Sequence, residues 1–386
     1  ATLKAAGLLD APLEAAFRAI PRAAFLPDLA PEKAYQDDAL PIKFDEDGSV
    51  LSSSSQPSMM AIMLRQLQLK PGQNVLEIGT GSGYNAALLQ QLVGDEGRVT
   101  SVEIDAPLAD LASANLQRVA MGRVQVVKGD GANGYAPRAN YDRIMATAGI
   151  WDVPAAWVRQ LMPGGVIVAP LWMEGFEVSA ALTLQPDGSF SSTDNRLCGF
   201  IPLRGQAAGP TSMTRIGTTG LYFSPGSRID SHALHLLLSD DASDQYLGSS
   251  LSGTEYWNGF LPYFLVHLPE TFTLARFYVN GDAAPVCGIS GTGFALIAPG
   301  SACFVSMNGR AVRSFGGADA FIEVDNAIYA WERAGKPSQN RLRLRLIPKQ
   351  NDSFVVPRGK VYTRRDHYLL AWMDQDGSTS TKFGDR

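Results

Sequence analysis

Val75-Leu-Glu-Ile-Gly-Thr-Gly-Ser-Gly-Tyr-Asn-Ala-Ala-Leu-Leu89 decides the fold of this chain. Residues 75–78 read as a buried strand, Gly79 to Gly83 as a tight turn, and the stretch from Tyr84 as an apolar helix. Gly79, Gly81 and Gly83 let the backbone turn sharply and approach a ligand with no Cβ in the way. The spacing is Gly-x-Gly-x-Gly. It is not the Gly-x-Gly-x-x-Gly of dinucleotide sites, which brings a pyrophosphate to the helix N-terminus.

Three further strands follow in register. Residues 98–105 run from Arg98 through Glu103 and Ile104 to Asp105. Residues 124–131 end in Asp130-Gly131, and residues 141–147 end in Thr147. Glu103 lies about 20 residues past the glycines, where a carboxylate can accept two ribose hydroxyls. Ligands of open α/β sheets sit beyond the carboxyl ends of the strands, and all of these residues fall there. The Glu-x-Gly-x-Gly-x-Gly form resembles the first motif of Rossmann-like class I methyltransferases, which bind S-adenosylmethionine and release S-adenosylhomocysteine. The resemblance implies that Gly79, Thr80, Gly81 and Gly83 line the cofactor. It places Glu103 on the ribose with Ile104 beside it, and Asp130 with Gly131 at the adenine amino group. The competing readings of the turn are a nicotinamide-binding fold and a bare α/β scaffold.

The 386 residues suffice for two domains of ordinary size. With 45% hydrophobic and 18% charged residues the chain reads as globular. A formal net charge of −5 argues against a nonspecific nucleic-acid binder, so no nucleic-acid partner is expected. Cys198, Cys287 and Cys303 are too few and too widely spaced for a disulfide framework or a zinc site, and read as buried thiols. The four histidines lack a supporting ligand set, so no metal is expected. No stretch reads as a signal peptide or a membrane span, which gives a cytoplasmic expectation with no membrane partner.

Outside the motif, residues 8–28 carry helical periodicity broken by Pro21 and Pro27, and a second amphipathic helix follows Gln56-Pro57. The Rossmann alternation spans about residues 74–170. Residues 178–184 and 198–203 read as an antiparallel pair closing the sheet, and 204–220, rich in Gly, Ala, Thr, Ser and Pro, as a linker. Residues 234–238 and 321–334 look helical, and 294–297, 304–307 and 342–347 look like strands. The expected architecture is α/β: a Rossmann-like catalytic domain over 1–205 and an α+β extension over 206–386.

Upstream of the glycines, Ser53-Ser54-Ser55-Gln56-Pro57 resembles the Thr-Ile-Ser-(Ala/Gln)-Pro signature of the protein-L-isoaspartate O-methyltransferase family. Gly-Thr-Gly-Ser-Gly-Tyr at 79–84, Gly-Asp-Gly at 129–131, Tyr-Asp-Arg-Ile at 141–144, Pro-Gly-Gly at 163–165 and Phe-Ile-Pro-Leu at 200–203 also fit. The resemblance covers about residues 1–205. It makes Ser55 the catalytic serine, with Ser53, Ser54 and Gln56 on the cofactor side and Thr147 and Ala148 on the substrate side. Ser55 also suits a helix N-cap. Ser54, Ser58 and Gly149 depart from the family pattern on the substrate side, which turns the expectation away from isoaspartate.

The extension holds Trp331-Glu-Arg-Ala-Gly335-Lys-Pro337. A Trp-x-x-x-Gly-x-Pro stretch there resembles a branch of the family associated with ribosomally made, modified peptides such as lasso peptides and graspetides. That branch methylates an L-aspartate of a cyclised precursor, and the ester collapses to an aspartimide. The resemblance makes a modified precursor peptide the expected partner, with Trp331, Gly335 and Pro337 on the substrate side. As a bare sequence, the same stretch reads as a helix carrying Trp331 into its own core and stopped by Gly335 and Pro337. General repair of L-isoaspartyl proteins is the alternative function, and a vestigial binding scaffold a third. Arg341, Arg343 and Arg345 share one strand face, which suits a solvated edge or an acidic peptide.

Overall fold

The computed structural model describes residues 2–46, 48–174, 176–210, 213–224, 226, 229–249, 251–279, 286–307, 311–351 and 359–374. Residues 211 and 212 of the expected linker lie outside them. The chain divides into two compact units. The first is Ala1–Ser212 with Arg345–Ser353 and Tyr362–Leu369; the second is Met213–Leu344 with Phe354–Val361 and Leu370–Arg386. This differs from a single cut at 205/206. Two late segments return to the first unit, because residues 345–348 and 367–369 lie in strands of the sheet that contains Phe190–Ser192.

After its N-terminal helices the first unit forms a hairpin of β1 (Leu40–Phe44) and β2 (Val50–Ser54). Its central sheet contains β3 (Asn74–Ile78), β4 (Arg98–Glu103), β5 (Gln125–Lys128), β6 (Tyr141–Ala146), β7 (Leu161–Met173) and β8 (Phe176–Leu184), ordered β5-β4-β3-β6-β7-β8. The pairs from β5 to β7 are parallel, and β7–β8 is antiparallel. Strand β3 is buried along its whole length, as a strand in the middle of a parallel sheet is, with Val75, Leu76 and Ile78 as its apolar residues. After β5 the chain crosses to the other side of β3. The carboxyl ends of β3 and β6 therefore form a topological switch point, where such folds bind ligands.

Flanking helices follow sequence signals. Ala11–Ala19 is capped by Asp10, whose carboxylate accepts the Leu13 amide at 3.0 Å, and ends at Ile20 before Pro21. Pro57–Leu67 starts with proline at its first position and buries Met60, Met63, Leu64 and Leu67. These helices and Tyr84–Val93 pack into one core with Leu13, Leu88, Val93 and Val99.

The second unit is an antiparallel sheet that includes Leu221–Phe223, Thr273–Val279, Thr292–Ala298, Ser301–Ser306 and Ala311–Gly316 as successive neighbours. Phe277, Phe304 and Phe315 meet edge to face in its core. Helix Asp319–Arg333 buries Ala320, Val324, Ile328 and Trp331, a stripe at helical spacing. Among the cysteines Cys303 is buried, but Cys287 is exposed, against the expectation of a buried thiol.

Candidate active site

At the switch point the turn after β3 meets the end of β6. Thr147 Oγ1 lies within hydrogen-bond distance of the Gly79 carbonyl (2.6 Å) and the Ile78 carbonyl (3.1 Å). Gly79 has φ +94°, and a Cβ there would come within 2.7 Å of Thr147 Oγ1. Glycine is therefore required twice over, by conformation and by the approach of Thr147. Gly83 has φ +88° and serves as the N-cap residue of Tyr84–Val93.

Glu103 ends β4 and is 5% exposed. Its Oε2 accepts the Gly81 amide at 3.0 Å and its Oε1 accepts the Asp105 amide at 3.1 Å. The Arg204 guanidinium stands 4.0 Å from the same carboxylate. Each carboxylate oxygen keeps one lone-pair direction beyond those amides, which is the capacity a vicinal diol needs. Ile104, next in the chain, is 41% exposed, an apolar surface left open beside this acid. Asp130 is held in the same manner, with Oδ1 accepting Ala132 N (2.9 Å) and Oδ2 accepting Gln206 N (2.8 Å). A Cβ on Gly131 would strike Ile78 Cγ2 at 2.5 Å, which keeps the Asp130 loop close against β3. Bare glycine backbone, an oriented carboxylate pair and an open apolar side chain suit the ribose and adenine of S-adenosylmethionine.

The serine segment is fixed by a residue that sequence reasoning missed. Arg22, 1% exposed, donates to the carbonyls of Ala34 (2.9 Å), Gln36 (3.0 Å), Asp38 (3.0 Å), Ser54 (3.0 Å) and Ser55 (3.0 Å). Its Nε also donates to Ser54 Oγ at 3.3 Å. Ser54 is thus buried and bonded to Arg22, while Ser53 and Ser55 remain half-buried. A Cβ on Gly81 would lie 3.7 Å from the Ser53 carbonyl oxygen, so the serine segment lies against the glycine turn. Gln56 Nε2 donates to Asp37 Oδ2 at 3.3 Å, and Asp37 Oδ1 accepts the Ser58 amide at 2.8 Å. Asp37 therefore caps the start of Pro57–Leu67. Gln56, the N-cap residue of that helix, makes no side-chain cap hydrogen bond there.

On the other side of the switch point, Thr147 and Ala148 are half-buried and lead into Gly149. Gly149 exchanges hydrogen bonds with the closing Phe-Ile-Pro-Leu segment, donating to Ile201 O (2.9 Å) and accepting from Leu203 N (2.8 Å). A Cβ at Gly149 would come within 2.0 Å of Glu177 Oε1. The family departure at this position therefore has a packing cause inside the fold.

Glu77, fully buried on β3, accepts from Asn85 Nδ2 at 2.7 Å and from the Ser101 hydroxyl, which itself meets Thr80 Oγ1 at 2.6 Å. Thr80 is thus tied into the core beneath the turn. Burial pushes the Glu77 carboxyl up to about 7, with the hydrogen bonds from Ser101 and Asn85 opposing it.

Trp331, Gly335 and Pro337 lie in the second unit. Trp331 is 1% exposed, meets Phe260 edge to face, and donates from Nε1 to the Pro337 carbonyl at 2.9 Å. Gly335 N bonds Glu332 O (2.9 Å) and Lys336 N bonds Trp331 O (3.0 Å), a Schellman stop after Asp319–Arg333 with Gly335 at φ +79°. These residues, placed on the substrate side by the sequence, are engaged in closing a helix and filling a core. Two of the strand arginines have carboxylate partners: Arg343 with Asp374 and Arg345 with Asp187, each at 2.7 Å.

A family model described as Protein-L-isoaspartate(D-aspartate) O-methyltransferase matches residues 1–208. The protein-L-isoaspartate O-methyltransferase of Pyrococcus horikoshii is 40% identical over 210 residues, covering 53% of this chain and 90% of that protein. The Methanopyrus kandleri protein of the same name is 41% identical over 188 residues, 48% of this chain and 80% of its own. A solved structure titled protein-L-isoaspartate O-methyltransferase aligns with a TM-score of 0.51 at 24% identity, over 89% of this chain and 94% of its own, a likeness of fold. Among the described residues no helix is long and apolar enough to cross a membrane.

Proposed function

Because this chain belongs to the protein-L-isoaspartate(D-aspartate) O-methyltransferase family, we propose that it methylates the free carboxylate of L-isoaspartyl residues in proteins. The family makes it an S-adenosylmethionine-dependent protein carboxyl O-methyltransferase. The observation that carries the isoaspartyl reading is the serine segment, held by Arg22 against the glycine turn with Ser55 next to the buried Ser54. When bound, S-adenosylmethionine supplies a methyl group on a sulfonium, which leaves as a neutral thioether.

The chain's own work is alignment. A carboxyl with pKa about 4 is already ionised at neutral pH, so no general base has to act. Ser55 holds the carboxylate by donating a hydrogen bond, and Thr147 and Ala148 border the same space. Glu103 and Asp130 orient the nucleoside, and the Arg22 network keeps the serine loop from relaxing away from the glycines. Holding the two reacting atoms together and excluding water supplies most of the acceleration. The ester then closes to a succinimide when the next backbone nitrogen attacks it and methanol leaves, a step internal to the peptide.

The aspartimide-forming reading rests on the extension and its tryptophan motif. The solved isoaspartate methyltransferase aligns over 89% of this chain, well past residue 208, so a long chain is no mark of that branch by itself. The deciding experiment is mass spectrometry of an L-isoaspartyl peptide with S-adenosylmethionine, beside its L-aspartyl twin and with cofactor binding checked in parallel. Methylation of the isoaspartyl peptide alone, lost in Ser55→Ala with cofactor binding intact, is the expected result. No methylation despite cofactor binding overturns the reading and directs the search to cyclised aspartyl peptides.

A further inference from the structure

One turn late in the chain touches both the loop that follows Thr147 and the strap that bonds Asp130. Strands Lys360–Thr363 and His367–Met373 are joined by Arg364, Arg365 and Asp366, and this turn belongs to the first unit. It grips the loop that follows Thr147. Asp152, 7% exposed, accepts the amides of Asp366 (2.6 Å) and His367 (3.2 Å) on Oδ2. Its Oδ1 accepts the Val153 amide at 2.8 Å and lies 2.7 Å from His367 Nδ1. Arg364 places its guanidinium carbon 4.1 Å from the centre of the Trp151 ring and donates to the Trp172 carbonyl at 2.7 Å.

The same turn grips the strap after Leu203. Arg365 donates to the carbonyls of Gln206 (2.7 Å) and Ala208 (3.2 Å). The Gln206 amide in turn donates to Asp130 Oδ2. Gly205, at φ +87°, lies so close to Asp130 that a Cβ would meet its Oδ2 at 2.4 Å. A cavity of about 210 Å³ lies under this arch, lined among others by Asn133, Trp151, Arg159, Gln206 and Arg365.

We propose that Arg365 is a positioning residue for the cofactor, acting through the strap onto Asp130. One of the two amides that orient the Asp130 carboxylate comes from a strap of loop residues. The forked guanidinium on two strap carbonyls is what holds that amide in place before any ligand arrives. Without it, the cofactor has to order the strap on binding, and affinity falls by the fraction of time the strap is out of place. The inference rests on S-adenosylmethionine use and not on the isoaspartyl substrate.

The test is calorimetric titration of the full chain with S-adenosylhomocysteine, for wild type, Arg365→Ala and Arg365→Lys. Arg365→Ala weakens binding about ten-fold, as loss of charge-assisted hydrogen bonds to the strap predicts. Arg365→Lys, which keeps the charge but not the fork, weakens it by a smaller factor. The KM for S-adenosylmethionine rises in parallel, while kcat at saturating cofactor stays within about two-fold. Affinity within two-fold of wild type in both variants overturns the proposal, as does a lowered Tm with affinity retained. If Arg365→Ala does not fold, Arg365→Lys decides alone: weakened binding at an unchanged Tm supports the role and unchanged binding removes it. Binding of this nucleoside does not depend on the peptide, so failure of the isoaspartyl reading leaves the result interpretable.

Discussion

Arg22 Nη2 donates to the Ser55 carbonyl at 3.0 Å across 33 residues of sequence. The same guanidinium takes up the carbonyls of Ala34, Gln36, Asp38 and Ser54, so one buried cation ties the loop before β1 to the loop after β2. A planar fork with five donors is suited to this, and lysine is not. Arg22→Met leaves buried carbonyls without donors, at about 1–3 kcal/mol for each that water does not reach. The expected outcome is a loss of at least about 3 kcal/mol in urea unfolding, with kcat falling more than S-adenosylhomocysteine affinity. A variant that loses this stability but keeps full kcat would show that the Arg22 network serves stability and not the serine loop.

Glu77 predicts a pH dependence of stability. Its carboxyl lies near 7 in the fold because burial disfavours the ion, well above its ordinary 4.5. The folded state therefore binds the proton more tightly than the unfolded chain. The stability this gives is fully present below about pH 4.5 and is lost as pH rises through 7. The difference amounts to about 3 kcal/mol. Glu77→Gln removes the titration, so unfolding free energy of wild type relative to the variant should fall by that order between pH 4.5 and 8. A difference constant over that range would mean that Glu77 titrates normally.

The parts of the site that sequence revealed are those with local spacing. Gly79, Gly81 and Gly83 sit within five residues, Glu103 ends β4, and Asp130 lies just past β5. Arg22 stayed hidden because its acceptors are mostly backbone carbonyls, which carry no residue signature, scattered over 12 to 33 residues. Its one sequence trace is a charge inside Ile20-Pro-Arg-Ala-Ala-Phe25, an apolar run. Strands Thr273–Val279 and His367–Met373 went unread for a related reason: their pairing partners are distant or their alternation is weak. The return of residues 345–353 and 362–369 to the first unit has no local marker at all. At Gly149 the sequence departure looked like altered substrate choice, and the fold gives it a packing cause in Glu177.

The proposed ribose role of Glu103 predicts an effect on cofactor affinity that separates charge from shape. Glu103→Gln keeps the volume and one acceptor but turns the other oxygen into a donor facing either the Gly81 or the Asp105 amide. Hydrogen bonds to an ionised group are worth about 1.5–3 kcal/mol, so S-adenosylhomocysteine binding should weaken about 10- to 100-fold. Calorimetric titration reads this directly. Affinity within three-fold of wild type would remove Glu103 from the ribose.

Gly335 decides what the tryptophan motif does. The residue has φ +79°, and a Cβ built on it meets nothing within 4 Å, so a substitution there is penalised by backbone strain alone. Placing an L-residue in the left-handed region costs about 1–2 kcal/mol. Gly335→Ala should therefore lower the unfolding free energy of the second unit by about that amount, because the Schellman bonds from Gly335 to Glu332 and from Lys336 to Trp331 depend on this conformation. The peptide KM should be unchanged, since Trp331 spends its indole N–H on Pro337 and its ring on Phe260. Thermal unfolding followed by tryptophan fluorescence, beside initial rates on a methyl-accepting peptide, separates the two roles. A rise in peptide KM with stability unaltered would place the motif in substrate recognition after all, whereas a stability loss alone leaves it as the stop of helix Asp319–Arg333.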